Sequence, residues 1–437
     1  MTRSPFYSRL ASSGLAAARS PTGRSVLLYA IAFTFAGLTP IVLLPVLTRE
    51  LTPAEVGQVT SWIILAGMIG NVCNMSTPAL ITVRYFKNTT EQLARLMVTA
   101  IAVVVAVHAL FAAAVAIRPD LLSEFTSLPD GYSVLAVGAA LAFSINLIGL
   151  GLMQASQRPG LYLASRVVQS VVEIVGCVAL LYLVAATPDA RISTYLGALA
   201  VCALFALGFS YRTGHLSALP SGTAFKTAMR FSVPIVPHVL AGQLLVNLDR
   251  LMVSAVLGIE SLGIFMVASQ LGMAMSLVIE PLNRALAPWL FGALGDADEA
   301  KRRQIVLVTY GLFLGLVVLA LVLAGLFFLL YDFVFPPEYA AAKAIIFPIA
   351  IGMAFQGMYY GVVNYVFYAE ATIRLSLITT GTVAASLLTS YLLVSNFELM
   401  GAAISFMLTN AVLFLSIWFL SSRVVPMPWT LRREARA

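Results

Sequence analysis

Arginine and amide side chains occur in this sequence within segments that are otherwise apolar. In the stretch 231–254, Gln243, Asn247 and Arg250 are spaced i, i+4 and i+7, which places them on one face of a helix. Guanidinium groups offer forked donors that fit phosphate and carboxylate oxygens. Because ionisable groups at membrane depth are costly, this face predicts a wet binding surface for an anion. The alternative is that a nearby acid neutralises Arg250 and the pair serves helix packing.

Three acidic side chains in apolar segments are candidates for binding a coupling cation or a proton. Asp249 is well rotated from the face just described, and it could equally hold an arginine or cap a helix end. Glu173 ends a polar stripe that begins at Arg166, and pairing with that arginine or with a neighbouring helix is the simpler interpretation. Glu280 stands four residues before Arg284, a spacing that favours a local ion pair.

No nucleotide-binding or metal-binding motif accompanies these groups. The chain has no P-loop, no G-x-G-x-x-G after a strand and no H-E-x-x-H, and its 3 Cys show no ligand spacing. We therefore predict no cofactor, no metal and no nucleotide-driven engine. Uphill movement of a cargo would have to draw on an ion gradient, on a partner, or on consumption of the product on the far side.

The elements that carry these residues are long apolar segments. Hydrophobic residues make up 60% of the 437 residues and charged residues 10%, against roughly 45–50% and 25% in soluble domains. About 20 apolar residues cross a hydrocarbon core as a helix, and we expect the eighth span to bend at Pro281. The sequence predicts spans at 25–47, 58–82, 96–117, 133–155, 161–185, 194–211, 231–254, 261–291, 305–331, 341–366, 373–394 and 400–421.

The basic residues follow the alternation of these spans. With both termini cytoplasmic, 21 of the 26 Lys and Arg fall in inner tails, loops and helix ends, which is the positive-inside pattern. The net charge of +7 is thus topogenic and does not indicate nucleic acid. The outside loops are short, the longest running from about Arg118 to Ser133, and no loop could house a soluble active site. We therefore expect a protein that is not an enzyme.

The two halves of the chain resemble each other. Leu51-Thr-Pro-Ala-Glu-Val-Gly57 follows the first span, and Leu257-Gly-Ile-Glu-Ser-Leu-Gly263 follows the seventh. Repeats with an even number of spans share one orientation, as in transporters that rock two bundles about a central site. We predict an all-α integral membrane protein with 12 transmembrane helices in two parallel six-helix lobes around a central cavity. The predicted parts are a basic tail 1–24, a lobe 25–212, a linker 213–229, a lobe 230–423 and a basic tail 424–437.

Motifs along the whole chain carry a family resemblance. Phe231-Ser-Val-Pro-Ile-Val-Pro237, then Asp249-Arg250-Leu-Met-Val, then Leu257-Gly-Ile-Glu-Ser-Leu-Gly-Ile-Phe265 resemble the seventh-helix signature of the polysaccharide (O-antigen type) flippases. That family belongs to the multidrug/oligosaccharidyl-lipid/polysaccharide exporter superfamily. Residues 45–57 look like its first-helix exit, residues 82–86 like the close of its second helix, and residues 337–342 like the entrance of its tenth. The order and spacing of these motifs carry the resemblance.

The resemblance implies a multi-pass protein of the bacterial inner membrane that flips a polyprenyl-diphosphate-linked oligosaccharide to the periplasmic face. Such a protein serves surface polysaccharide assembly, for example of lipopolysaccharide O-antigen or exopolysaccharide. The expected partners are the lipid-linked oligosaccharide, membrane lipids, a polysaccharide polymerase and glycosyltransferases. The motif matches point to three arginines, and the residues themselves add the others. The residues expected to bind substrate are Arg250, Arg49, Arg84, Arg284, Arg166, Arg374, Asn247 and Gln243.

Three other classes compete with this interpretation. An exporter of small cationic or amphipathic drugs shares the fold but would need acids in its cavity, whereas most intramembrane charge in this chain is Arg. A membrane-embedded polysaccharide polymerase or ligase would need a sizeable periplasmic loop. A major-facilitator carrier would have a Gly- and Arg-rich loop after its second span, where residues 85–95 read YFKNTTEQLAR. Twelve spans also separate the chain from the fourteen-span lipid II flippases.

Overall fold

A computed structural model describes residues 21–118, 122, 126, 128–129, 131–295 and 298–430, and the regular structure of these residues is helical throughout. Residues 1–20 and 431–437 of the two predicted tails lie outside the described residues. The helices are α1 Pro21–Glu50, α2 Pro53–Cys73, α3 Thr77–Tyr85, α4 Thr90–Ile117, α5 Tyr132–Ala155, α6 Pro159–Leu183, α7 Pro188–Arg212, α8 Gly222–Ser232, α9 Val236–Leu257, α10 Ile259–Met273, α11 Ser276–Gly295, α12 Glu299–Val334, α13 Ala341–Tyr368 and α14 Thr372–Val424.

These helices can be matched to the predicted membrane spans by their length and apolar composition. Within the described residues, 10 helical segments are long and apolar enough to cross a membrane, with α8 and α9 counted as one. The bent pair α10 and α11, at 40°, is a further span. The backbone of α14 leaves the helical region at Glu398, with φ 50° and ψ −131°. Each of its arms, 372–397 and 399–424, can cross a core of about 30 Å, so the prediction of twelve spans is confirmed.

Breaks in the helices lie near prolines, although not always where expected. The second span breaks where Met75 and Ser76 adopt positive φ, just ahead of Pro78. A 3₁₀ turn at Val233–Ile235 separates α8 from α9. The bend expected at Pro281 is wrong in position, because the break lies at residues 274–275 and this proline sits inside α11. A proline ring clashes with the carbonyl four residues earlier, so the distortion falls on the preceding part of the helix.

The second half of the predicted linker is an ordered helix. The Ser221 hydroxyl caps α8 by accepting the Ala224 N–H at 3.2 Å, and the Ser221 N–H donates to Thr99 Oγ1 at 3.1 Å. Ala224 and Ala228 are buried in a cluster with Leu93 and other residues of α3 to α5. Residues 222–229 of the predicted linker are therefore helical, and the small apolar residues four apart give this helix a packing face.

The chain divides into two compact units. The first unit contains the described residues up to Val42 together with Trp62–Gln243, and the second contains Leu43–Ser61 and the described residues from Leu244 onward. The boundaries fall inside α1, α2 and α9. The division into lobes at 213–229 stays a prediction.

Within the second unit, residues 43–61 pack on α10 through two glycines. A Cβ added to Gly57 would collide with the backbone oxygen of Ile259, and one added to Gly263 would collide with that of Pro53. Small residues at a helix crossing let the backbones touch, which is how helices commonly associate where no hydrophobic drive is available. This crossing therefore has no room for any larger residue.

A pair of buried tyrosines secures the same part of the second unit. The Tyr331 hydroxyl donates to the Tyr339 carbonyl at 2.6 Å, and the Tyr339 hydroxyl donates to the Leu51 carbonyl at 2.8 Å. Both tyrosine side chains are almost fully buried. The Leu51 carbonyl lies just past the end of α1, so this bond satisfies an acceptor that a helix end leaves open.

After α14 the chain turns back along the ends of the helices. Residues 425–430, named the C-terminal arm, place Trp429 with its ring centroid 5.6–6.1 Å from those of Tyr310, Tyr365 and Trp418. The Tyr310 hydroxyl donates to the Trp429 carbonyl at 2.6 Å. These contacts attach the arm to α12, α13 and α14.

Candidate functional site

The polar face of α9 carries a half-buried arginine with neutral partners. Arg250 Nη1 donates to Asn247 Oδ1 at 3.4 Å, and Nη2 donates to Met273 Sδ at 3.1 Å. Asn247 is buried, and Gln243 lies one turn earlier on the same continuous helix. An amide oxygen and a thioether accept its hydrogen bonds, while the adjacent Asp249 carboxylate acts on the guanidinium electrostatically. The remaining N–H donors of Arg250 are suited to an external anion.

Asp249 lies beside two serines of α14. Within the described part of the chain, its Oδ1 is buried and lacks a hydrogen-bond partner, and so do the hydroxyls of Ser390 and Ser405. Both serines are completely buried, and their hydroxyls lie near the carboxylate. Buried polar atoms are nearly always satisfied. The carboxylate and the two hydroxyls together form a buried polar group that could hold a hard cation or a proton.

Arg166 lines a cavity of about 390 Å³ that belongs entirely to the first unit. Apolar side chains such as Pro78 and Leu147 form most of its wall, and Gln154 and Tyr162 add polar groups. The Arg166 guanidinium carbon lies 6.0 Å from the centroid of the Tyr162 ring. A cavity of this size, with an apolar wall and a few polar groups, is typical of sites for small amphipathic molecules.

Four side chains of α6 and α7 form a continuous polar ladder. Arg166 Nη1 donates to Gln169 Oε1 at 3.0 Å, and Gln169 Nε2 donates to Glu173 Oε1 at 3.1 Å. Arg191 Nη2 donates to Glu173 Oε2 at 2.9 Å, and the side chains of this last pair are 4% and 5% exposed. Glu173 thus pairs with a neighbouring helix, one of the two interpretations that the sequence allowed. Both of its carboxylate oxygens are engaged.

Glu280 and Arg284 lie on α11, where polar contacts reach α13. The Tyr360 hydroxyl lies near the Glu280 carboxylate. Asn364 Nδ2 donates to Asn283 Oδ1 at 3.1 Å. Arg284 is exposed, and the local ion pair expected between it and Glu280 stays a prediction.

The three remaining arginines expected to bind substrate lie at helix ends. Arg49 is exposed in the last turn of α1, and Arg84 is half-buried in the last turn of α3. Arg374 is exposed near the start of α14, where it lines a cavity of about 480 Å³ with Glu370 and Arg423. Of the expected arginines, Arg166, Arg250 and Arg284 lie away from the helix ends, and of these three Arg166 and Arg250 are half-buried.

Arg191 is a buried residue that lies just ahead of the predicted sixth span, 194–211. Its helix, α7, begins at Pro188, ahead of the predicted start at residue 194. Proline at the first position of a helix, followed by an acid such as Asp189 in the first turn, is a helix-start signal. That signal could have placed Arg191 inside the span and within reach of Glu173.

Solved transporter structures share this fold. The inward-facing conformation of a multidrug resistance MATE family transporter of the MOP superfamily matches with a TM-score of 0.65 and 14% identity, over 90% of this chain and 97% of that one. Lipid II flippase MurJ in an inward closed conformation matches with a TM-score of 0.67 and 10% identity, over 92% of this chain and 86% of that one. An outward-facing MATE family transporter matches with a TM-score of 0.54 and 15% identity, over 94% of this chain and 98% of that one.

Sequence comparison identifies the family. Curated protein sequences give no significant match. The profile of the family described as "Polysaccharide biosynthesis protein" matches residues 22–293, which is more than half of the chain. The family resemblance drawn from the motifs is thereby confirmed. The chain belongs to this polysaccharide biosynthesis family, and it has the all-helical membrane fold of the MOP-superfamily transporters.

Proposed function

We propose that this protein flips a polyprenyl-diphosphate-linked oligosaccharide from the cytoplasmic to the periplasmic face of a bacterial inner membrane by alternating access. The observation that carries the proposal is the state of the two half-buried arginines that lie away from helix ends, Arg166 and Arg250. Arg250 is held by an amide oxygen and a thioether, and Arg166 by an amide oxygen at an amphipathic cavity. Each guanidinium is oriented by these neutral groups and retains its charge.

A diphosphate needs this kind of surface. It is a dense anion, and guanidinium donors match the geometry of its oxygens. The apolar wall around Arg166 suits prenyl units, while the amide-rich face of α9 suits hydrated sugar. The competing function, export of cationic drugs, is less well supported because an intramembrane arginine repels such a cargo.

We further propose Asp249 as the group through which an ion gradient acts on transport. It shares a buried site with the Ser390 and Ser405 hydroxyls, and its Oδ1 has no hydrogen-bond partner among the described residues. Glu280 is a second candidate because it is half-buried and meets a neutral tyrosine hydroxyl. The Glu173 carboxylate is less suited, since Arg191 and Gln169 occupy both of its oxygens.

The test of the flippase proposal uses a strain that depends on this protein for its surface glycan. We expect Arg250→Ala to reduce surface glycan about tenfold or more, because a charge-assisted contact to phosphate is lost. Lipid-linked oligosaccharide should accumulate on the cytoplasmic face. The measurements are glycan on intact cells and lipid-linked units in extracts, both at matched expression.

Arg303→Ala is the matched control, since Arg303 is an exposed arginine near the start of α12. Its glycan should equal that of the wild type. Normal glycan in the Arg250→Ala strain would remove this residue from the cargo site. Normal glycan together with lost resistance to cationic drugs would favour the exporter instead.

A further inference from the structure

The polar ladder on α6 has a direction, because each side chain determines the orientation of the next one. The residues 166, 169 and 173 are spaced i, i+3 and i+7, so their side chains follow one another along one face of the helix. Glu173 is acceptor-only when ionised, and therefore the Gln169 amide must turn its NH₂ toward it. The same orientation turns Gln169 Oε1 toward Arg166, where it accepts a hydrogen bond at 3.0 Å. The carboxylate thus determines which end of the amide meets the guanidinium.

A neighbouring amide supports the same orientation. Asn146 Nδ2 lies 3.5 Å from Gln169 Oε1 in a donor geometry. Two donors, from Asn146 and Arg166, thus converge on a single carbonyl oxygen. A Gln169 amide turned the other way would present its NH₂ to both donors and would leave them without an acceptor.

Arg191 balances the negative charge of Glu173. The two side chains form a 2.9 Å ion pair that is almost completely buried. Burying an ion pair costs more desolvation than an apolar pair of similar size, so the pair is weak evidence for stability by itself. Its effect on the ladder is specific, however. Because Glu173 is neutralised by Arg191, Arg166 is held by a neutral amide and keeps its own charge for the cavity.

We propose that Glu173 is a positioning residue that acts through Gln169 to hold the Arg166 guanidinium at the cavity wall, where it binds the phosphate end of a prenyl-linked anion. This inference rests on the proposed flippase function and specifies a part of the first unit that contacts the cargo. The Gln169 bond uses one of the five N–H donors of the guanidinium. The apolar wall, with Pro78 and Leu147, takes the prenyl carbons next to the phosphate.

The test measures binding of farnesyl diphosphate to the purified full-length protein in lipid nanodiscs, with farnesol as the uncharged comparison. We expect Arg166→Ala to weaken diphosphate binding about tenfold or more. Glu173→Gln and Gln169→Leu should each weaken it several-fold, because the guanidinium loses its fixed orientation. Arg158→Ala, which removes an exposed arginine just before α6, is the matched control and should bind like the wild type.

Double variants separate positioning from an independent role. If Glu173 acts through Arg166, then Glu173→Gln adds no further loss once Arg166→Ala is present. Additive losses, or a Glu173→Gln protein that binds normally but loses the sodium or pH dependence of transport, would overturn the inference. Because Glu173→Gln leaves Arg191 buried without its partner, the variant Glu173→Gln/Arg191→Met serves as a folding-tolerant second test. It should show the same several-fold loss.

The outcomes also separate this inference from the proposed function. A wild-type protein that binds farnesyl diphosphate, with an affinity insensitive to the Arg166, Gln169 and Glu173 variants, would overturn the positioning role and leave the flippase proposal standing. A wild-type protein that binds farnesyl diphosphate no better than farnesol would overturn both.

Discussion

Asp249 and Arg250 are adjacent in sequence but have different surroundings. Arg250 meets an amide and a thioether and is half-buried, whereas the buried Asp249 Oδ1 lies near the hydroxyls of Ser390 and Ser405. On a helix, adjacent residues point about 100° apart. One turn of α9 can therefore place a cation and a carboxylate in different surroundings. This division fits the proposal that the cargo and a driving ion occupy different sites.

Replacing Asp249 should uncouple transport from its ion gradient. We expect Asp249→Asn to fold and to bind the diphosphate probe normally, because the amide is nearly isosteric with the carboxylate. Its transport in proteoliposomes should no longer respond to an imposed sodium or proton gradient. The transport rate measured without a gradient should fall by about tenfold at most. Ser254→Ala, on the same helix, is the control and should keep the response. A gradient response in Asp249→Asn equal to that of the wild type would exclude this carboxylate as the coupling group.

At the scale of elements, the C-terminal arm is the clearest case of a short segment that stabilises long helices. Trp429 packs among Tyr310, Tyr365 and Trp418, and its carbonyl accepts from Tyr310. Aromatic rings bury large areas and gain from edge-to-face geometry. The arm therefore links residues of α12, α13 and α14 through one aromatic cluster.

Removing the Trp429 ring should loosen these helix ends. We expect Trp429→Ala to lower stability by about 2 kcal/mol, somewhat less than for a fully buried aromatic. Trp429→Phe should be close to neutral, because the Trp429 Nε1 is buried and has no partner among the described residues. Thermal unfolding in nanodiscs measures both variants. A Trp429→Phe variant as unstable as Trp429→Ala would show that ring size, and not aromatic packing, governs the site.

The spans could be predicted from the sequence because apolar length and charge asymmetry are local properties. The predicted start of the sixth span, residue 194, is too late, although Pro188 is a helix-start signal. The prediction therefore leaves Arg191 outside the span. The break near Pro281 was misplaced because a proline distorts the part of the helix that precedes it. Ser390 and Ser405 could not be assigned to Asp249, since no periodicity links residues in α14 to a partner in α9. The helices and their polar faces can therefore be predicted from the sequence, whereas the partners of individual side chains become known only from the three-dimensional structure.

At the scale of the whole molecule, three helices pass from one compact unit to the other. The boundaries lie within α1, α2 and α9, so each passage of the chain from one unit to the other runs through a continuous helix. In α9 the boundary lies between Gln243 and Leu244. The residues 43–61, early in the chain, belong with its second half. The sequence repeat therefore does not coincide with the boundaries of the compact units.

The glycine crossing within the second unit predicts a large difference between two conservative changes. Gly57→Ala should destabilise the protein by about 1–3 kcal/mol, because its Cβ would meet the Ile259 backbone. Gly67→Ala, on the same helix, should be neutral or slightly stabilising, because no atom lies within 4 Å of its added Cβ. Thermal unfolding of both variants in nanodiscs is the measurement. Equal stability for the two variants would show that α2 and α10 do not touch in the membrane.

The reversal at Glu398 affects how the sidedness of this protein can be mapped. The two arms of α14 meet at one residue with non-helical backbone, so the last two spans share almost no connecting loop. An epitope or labelling tag inserted there would have to unwind both arms. A tag at this turn that gives no signal would then indicate that the insertion disturbed the helices. It would not identify the side of the membrane on which the turn lies. Residues 216–220 lie outside any helix and are the better place for such a reporter.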